Sequence, residues 1–121
     1  MTLNNPKRDF YLRAYRYALQ IIKFTEKLLG NPTSHIIGNQ LIRSGTSVSA
    51  NLVEAKSASS KRDYLNFYQH ALKSANESKL WIGLLRDSGK ADQKEAEVLL
   101  KETIEIANIL AASILTMKGK R

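Results

Sequence analysis

The sequence contains no cysteine and only two histidines. The absence of cysteine excludes disulfides, thiolate nucleophiles and zinc sites with cysteine ligands. His35 and His70 fall in different predicted helices, and neither belongs to the Glu-x-x-His pair that di-iron helical bundles use. We therefore expect neither a metal site nor a cofactor.

Long apolar runs and strand-like alternation are also missing. No segment approaches the roughly twenty consecutive apolar residues that a membrane helix needs, and the first residues lack the apolar stretch of a secretory signal. With 121 residues, 43% of them hydrophobic, the chain is large enough for one domain with its own core. These features predict a single cytoplasmic domain, residues 1–121, without a membrane partner.

Catalytic motifs are equally scarce. The sequence has no Gly-x-Ser-x-Gly elbow, no phosphate-binding loop and no dinucleotide fingerprint. Glu54 and Glu77 are the best candidates for a pair of catalytic carboxylates, but Arg43 and Asn51 lie close to them in helical projection. Because such neighbours favour a structural hydrogen-bond network, we expect that the protein is not an enzyme. An enzyme that uses the two glutamates is the alternative.

Charge is the most informative bulk property of the chain. There are 19 Lys and Arg against 11 Asp and Glu, which gives a net charge of +8. Residues 1–86 hold thirteen basic and five acidic side chains, whereas residues 87–121 hold six of each. An excess of this kind attracts polyanions. It predicts a nucleic-acid partner, and the alternative is a basic surface that only aids solubility.

Turn residues divide the chain into four segments with helical periodicity. The predicted helices span residues 7–29, 34–55, 60–86 and 91–117. Because the connections between them are short, they predict an all-α fold, an antiparallel up-and-down four-helix bundle.

Caps and glycines refine this prediction. Ser34 is the predicted N-cap of the second helix, and Ser60 with Asp63 resembles a capping arrangement at the start of the third. Gly38 and Gly45 lie seven residues apart on one side of the second helix, where each costs up to about 1 kcal/mol relative to alanine. The pair predicts a close helix crossing, and a kink at Gly45 is the alternative.

The first predicted helix carries a narrow basic stripe at Arg13, Arg16, Gln20, Lys23 and Lys27. Apolar residues fill most of the remaining surface, an arc wider than the roughly 100° that a helix with one buried face needs. The excess predicts a second contact surface and hence self-association. The alternatives are that Tyr11 and Tyr15 are simply half exposed, or that the helix lies on an anionic membrane. We rank the membrane lowest because the bundle requires the apolar face.

The second predicted helix carries a row of polar residues beside an apolar stripe, at Gln40, Arg43, Ser47, Asn51 and Glu54. Polar groups next to a core need partners, because burying them unpaired costs free energy. The third helix offers acceptors at Ser74, Asn76 and Glu77. We therefore predict a polar layer that joins the two helices, with the orientation of Arg43, towards core or surface, left open.

The run from Gln40 to Gly89 resembles a four-helix-bundle family known from open reading frames within intervening sequences of bacterial 23S rRNA genes. The residues that carry the resemblance are Gln40, Arg43, Ser47, Asn51 and Glu54, followed by Phe67, Ala71, Ser74, Glu77 and Trp81. The resemblance implies a bundle that assembles into a ring, typically a homopentamer with a central channel and a basic surface. Related accessory variability determinants of diversity-generating retroelements engage a reverse transcriptase and nucleic acid.

The leading hypothesis is a non-enzymatic, oligomeric helical bundle that binds RNA or DNA. The predicted phosphate contacts are Arg13, Arg16, Lys23, Lys27, Lys61 and Arg62. The predicted structural network comprises Gln40, Arg43, Ser47, Asn51, Glu54 and Glu77. The alternative is a protein-interaction scaffold that does not bind nucleic acid directly and uses its charge for electrostatic steering.

Overall fold

The computed structural model describes residues 5–28 and 30–120. The helices are α1 (Pro6–Glu26), α2 (Pro32–Lys56), α3 (Lys61–Asp87) and α4 (Gln93–Met117). These bounds lie close to the predicted ones, although the predicted last residue of the first helix, Leu29, lies outside the described residues. Within the described part of the chain there is no strand, and no helix is both long and apolar enough to cross a membrane.

Polar side chains cap the N-terminus of each helix. The caps are Asn5, Asn31, Ser60 and Asp92. Each accepts a hydrogen bond from the backbone N–H three residues further on, which satisfies a donor that the helix itself cannot pair. Both prolines of the chain, Pro6 and Pro32, occupy the first helical position, where the fixed φ suits the helix and the missing N–H costs nothing.

The prediction that Ser34 caps α2 is wrong. Pro32 starts the helix two residues earlier, so Asn31 becomes the cap and accepts the N–H of Ser34 at 2.9 Å. Ser34 is instead fully buried, and its hydroxyl has no hydrogen-bond partner among the described residues. The predicted cap at Ser60 is confirmed by its 3.0 Å bond to the N–H of Asp63.

Each helix packs against its neighbours in the chain, and α1 also packs, less extensively, against α4. This closes an up-and-down four-helix bundle. The largest fully buried side chains are Tyr17, Ile21, Leu41, Leu52, Ile82, Leu85, Ile106 and Leu110. Each of the four helices supplies two of these side chains, so the core spans the whole bundle. Burying an aliphatic side chain of this size stabilises the fold by about 1.5–3 kcal/mol.

Helix α2 lies close to α1 at Gly45 and close to a residue just after the end of α1 at Gly38. A Cβ atom at Gly45 would lie 2.8 Å from Cγ1 of Ile21, and one at Gly38 would lie 3.0 Å from Cδ1 of Leu28. Helix α2 runs unbroken through both positions. The predicted close crossing is therefore confirmed, and the alternative of a kink at Gly45 is wrong.

Candidate nucleic-acid interface

Arg13, the first cation of the α1 stripe, pairs with α4. Its Nε and Nη2 donate to the two carboxylate oxygens of Glu102 at 2.8 and 2.7 Å, and Nη2 also reaches Glu105 at 3.1 Å. The hydrogen bonds to Glu102 raise the pKa of Arg13 above its ordinary value, against the opposing effect of partial burial. A two-pronged pair of this kind fixes geometry as well as charge. Arg13 therefore holds α1 against α4, and its charge is neutralised within the bundle.

Lys27, the last cation of the stripe, also faces an acidic residue of α4. Its Nζ donates to Glu95 at 2.7 Å, and this hydrogen bond raises the pKa of Lys27. Sequence reasoning missed both pairings, although Glu95 and Glu102 lie seven residues apart in α4, as a single helical face requires. Two of the four predicted α1 contacts are thus already paired with glutamates of α4.

Arg16 and Lys23 differ from these two. Both are exposed, and neither has an ion-pair partner among the described residues. Arg16 lines a cavity of about 530 Å³ and Lys23 one of about 310 Å³, both in the groove between α1 and α4. The two cavities adjoin, because Gln20 lines both. Lys101 and Lys94 of α4 line the same cavities. Because the glutamates there are paired with other cations, the α1–α4 groove keeps an excess of positive charge.

A second basic surface covers the end of the bundle where α1 starts, α2 ends and α3 starts. We call it the basic end; it comprises Lys7, Arg8, Lys56, Lys61 and Arg62. The first four line one cavity of about 720 Å³, whose described lining contains no acidic residue. Sequence reasoning found only Lys61 and Arg62, because the others are distant in sequence. They converge because successive antiparallel helices bring the start of one and the end of the next together.

The polar row of α2 lies at the edge of the α2–α3 contact. Arg43 donates to Oε1 of Gln40 at 3.1 and 2.9 Å and pairs with Glu77 of α3. Glu77 also accepts from Nε1 of Trp81 at 2.9 Å. The Arg43 side chain is 55% exposed, so it faces the surface rather than the core.

The other members of the row do not reach α3. Ser47 donates to the carbonyl of Arg43 at 2.6 Å, and Asn51 donates to the carbonyl of Ser47 at 2.8 Å, both within α2. Glu54 is exposed, and its carboxylate has no hydrogen-bond partner among the described residues. No hydrogen bond joins Glu54 to Glu77 within the described chain. That part of the chain also contains no group of three or more His, Asp or Glu that could hold a metal ion.

The buried polar contacts between helices lie elsewhere. Ser44 and Ser78 join α2 to α3 through their hydroxyls at 2.8 Å, and Tyr17 and Thr103 join α1 to α4 at 2.6 Å. All four side chains are fully buried. Burial raises the pKa of Tyr17 to about 12, so its hydroxyl stays protonated in neutral solution. Sequence analysis missed this layer, because single hydroxyls within apolar stripes give no periodic signal.

Replacing Glu77 with glutamine should lower the free energy of unfolding in a pH-dependent way. The hydrogen bond from Trp81 lowers the pKa of Glu77 the most; burial opposes this effect, and the hydrogen bond from Arg43 and its positive charge lower the pKa further. A folded-state pKa below the unfolded value means that the stabilisation is complete above the unfolded pKa and disappears as pH falls through the folded value. With a third of the side chain exposed, we expect a loss of about 0.5–1 kcal/mol at pH 7.

Urea unfolding at pH 7 and pH 3, followed by circular dichroism, measures this difference. Glu54→Gln is the matched control. It also removes one negative charge, but from a carboxylate of α2 that forms no ion pair with a described residue. A loss for Glu77→Gln that stays the same at both pH values would contradict the ion-pair explanation.

Comparison with known proteins agrees with this architecture. The sequence profile of the family described as 23S rRNA-intervening sequence protein matches residues 7–112. A crystal structure of a protein of unknown function from the S23 ribosomal protein family of Bacteroides thetaiotaomicron is similar, with a TM-score of 0.83 and 29% identity. The match covers 89% of this chain and 96% of that chain. A search of curated proteins found no match.

Proposed function

Because the chain belongs to the 23S rRNA-intervening sequence protein family, as the motif in α2 and α3 indicates, we propose that it is a non-enzymatic nucleic-acid-binding protein. In this proposal it acts as a homo-oligomer in the cytoplasm. The family name makes ribosomal RNA the first ligand to test. The protein binds through phosphates, since lysine and arginine side chains line the α1–α4 groove and the basic end.

The observation that carries the proposal is the distribution of cations without acidic partners. Arg16 and Lys23 lie in the α1–α4 groove, and the basic end adds a cavity lined by Lys7, Lys56 and Lys61, none of which forms an ion pair with a described residue. Lysine and arginine contacts to phosphates supply most of the affinity of non-specific nucleic-acid binding. Of the predicted contacts, Arg16, Lys23, Lys61 and Arg62 remain available, whereas Arg13 and Lys27 are paired with α4.

Titration with single-stranded RNA, structured RNA and duplex DNA over a range of salt concentrations tests the proposal. Affinity should fall steeply with salt, with a log–log slope of about 0.7 per neutralised phosphate for single strands and 0.9 for duplex DNA. No binding to any of the three ligands at low salt would remove nucleic acid as the partner.

The double substitution Arg16→Gln and Lys23→Gln should weaken binding several-fold and reduce the salt slope for single-stranded RNA by about 1.4, because two phosphate contacts are lost. The matched control is Arg13→Gln, which removes an α1 charge that is already neutralised. Arg13→Gln should lower thermal stability but leave the slope unchanged. If Arg13→Gln weakens binding as much as the double variant, the groove does not contact phosphate as proposed.

Self-association is the second part of the proposal. Leu12, Tyr15, Leu19 and Ile22 form an exposed apolar stripe on α1, which we call the outer stripe. It lies on the side of α1 opposite the buried face, since these positions are offset by about half a turn from Tyr17 and Ile21. A continuous apolar stripe of this kind is typical of a protein contact. The ring of five subunits implied by the family resemblance would cover it.

The outer stripe also favours a second candidate function, a scaffold that binds another protein and not nucleic acid. This alternative predicts a tight protein complex that resists salt, because an apolar contact is little affected by screening. It also predicts negligible affinity for free RNA and DNA. The salt titrations above therefore separate the two functions.

A further inference from the structure

The cavity at the basic end contains aromatic rings as well as cations. Tyr11 of α1 and Tyr64 of α3 line it beside Lys7, Lys56 and Lys61. Both tyrosines are half-buried, whereas the three lysines are exposed. The volume of about 720 Å³ lies within the range of small-molecule sites. The cavity can therefore hold more than a single small anion.

Each of the two rings carries a lysine ammonium group. The Nζ atom of Lys7 lies 5.0 Å from the centre of the Tyr64 ring, and that of Lys56 lies 4.6 Å from the centre of the Tyr11 ring. Cation–π contacts of this kind are weak at exposed sites, about 0.5–1 kcal/mol. They keep the ammonium groups at the cavity while allowing a ligand to displace them from the rings.

A chain of hydroxyl groups fixes the positions of the rings. The hydroxyl groups of Tyr11 and Tyr64 lie 3.2 Å apart, and that of Tyr64 donates to Tyr68 at 3.2 Å. Tyr68 is buried, and its ring packs against Tyr64 with the centres 4.9 Å apart. Burial alone would raise the pKa of Tyr64, but the hydrogen bonds with Tyr11, Tyr68 and Lys7 lower it overall. The rings are therefore held in place before any ligand arrives.

The geometry points to a binding site for a nucleoside phosphate, with the base stacked on Tyr64 or Tyr11 and the phosphate held by Lys7, Lys56 and Lys61. Base–aromatic stacking tolerates any base, because every base has a π-face, and lysine contacts to phosphate carry no sequence information. The ligand could be a free mononucleotide or an unpaired nucleotide of a strand. The second case rests on the proposed function, because the nucleotide would then belong to the nucleic acid that the protein is proposed to bind.

The test compares two single-stranded ten-nucleotide RNAs by fluorescence anisotropy, one normal and one abasic, with the same number of phosphates. Tyr64→Leu should lower affinity for the normal strand at least about fivefold, the effect of losing one stacked base, and leave the abasic strand unaffected. Tyr64→Phe keeps the ring and should retain binding to the normal strand. Circular dichroism confirms that each variant is folded.

The double substitution Lys7→Gln and Lys56→Gln should weaken binding of both strands and reduce the salt slope by about 1.4. Its matched control is Lys79→Gln with Lys90→Gln, which removes the same charge from the second half of α3 and the residues just after it, whereas the cavity lies at the start of α3. If the cavity variants bind like this control, or if Tyr64→Leu binds the normal strand like the unmodified protein, the site is wrong while the proposed function remains.

A separate arm titrates adenosine monophosphate and inorganic phosphate by calorimetry. Binding of the nucleotide that Tyr64→Leu weakens, with no such effect on phosphate, supports the cavity as a mononucleotide site even if no strand binds. A protein that binds neither strand nor mononucleotide overturns the site. Absence of binding to every strand at low salt, with mononucleotide binding retained, overturns only the proposed function.

Discussion

Replacing Leu19 with glutamate is expected to convert the proposed oligomer into monomers and to lower its affinity for a long nucleic acid by about a hundredfold. Leu19 lies in the middle of the outer stripe and is 41% exposed, so a charge there costs little in the isolated subunit. In an assembly the same charge would be buried against apolar residues without a partner. Affinity for a long nucleic acid falls when the assembly dissociates, because linked sites gain about 10²–10⁴ in avidity when they bind one ligand together.

Light scattering after size-exclusion chromatography gives the mass, and binding to a long and a ten-nucleotide RNA separates avidity from the intrinsic contact. Only the long RNA should lose affinity. Leu115→Glu is the control, since Leu115 is 42% exposed but lies on α4 and does not belong to the outer stripe of α1. If Leu115→Glu dissociates the oligomer and Leu19→Glu does not, the outer stripe is not the interface.

Replacing Gly45 with alanine should destabilise the bundle by about 1–3 kcal/mol, the usual cost of overpacking a core. Alanine is intrinsically better than glycine in a helix by about 1 kcal/mol, so α2 alone would gain. The new Cβ atom, however, would lie 2.8 Å from Cγ1 of Ile21. Because Ile21 is β-branched and fully buried, it cannot rotate away cheaply, and α1 must shift.

Thermal and urea unfolding measure the effect, with Gly83→Ala as the matched control. Gly83 lies inside α3, and a Cβ atom there meets no described atom within 4 Å. Gly83→Ala should therefore stabilise the protein by about 0.5–1 kcal/mol. In the double variant Gly45→Ala with Ile21→Ala, the two losses should be less than additive. Full additivity of the two stability losses would show that the close contact between Gly45 and Ile21 is not the cause of the destabilisation.

The candidate interface shows where sequence reasoning is sufficient and where it fails. The basic stripe of α1 follows from helical periodicity alone, so its residues were placed on one face without a structure. Periodicity cannot show which side chain of another helix lies opposite. The pairing of Arg13 with Glu102 and of Lys27 with Glu95 depends on the register of α1 against α4, which no local signal encodes.

The same limit applies to the polar row of α2. The sequence placed Arg43 and Glu77 on neighbouring helices, and their ion pair follows from that placement. The row contains Ser47 and Asn51 as well, but short side chains can bond to the carbonyls of their own helix. Whether these two side chains form hydrogen bonds within α2 or to α3 depends on the distance to α3, which is a tertiary property.

By itself, the sequence determined the number of helices, the cap at Ser60 and the close crossing at Gly45, because periodicity, capping and glycine spacing are local properties of the chain. It also determined the charge excess and the family. Only the tertiary structure decided which cations remain unpaired, where the buried hydroxyl pairs lie and that Lys7, Lys56 and Tyr64 meet at one cavity. Those outcomes depend on how helices align across the bundle, and that alignment results from packing of the whole core.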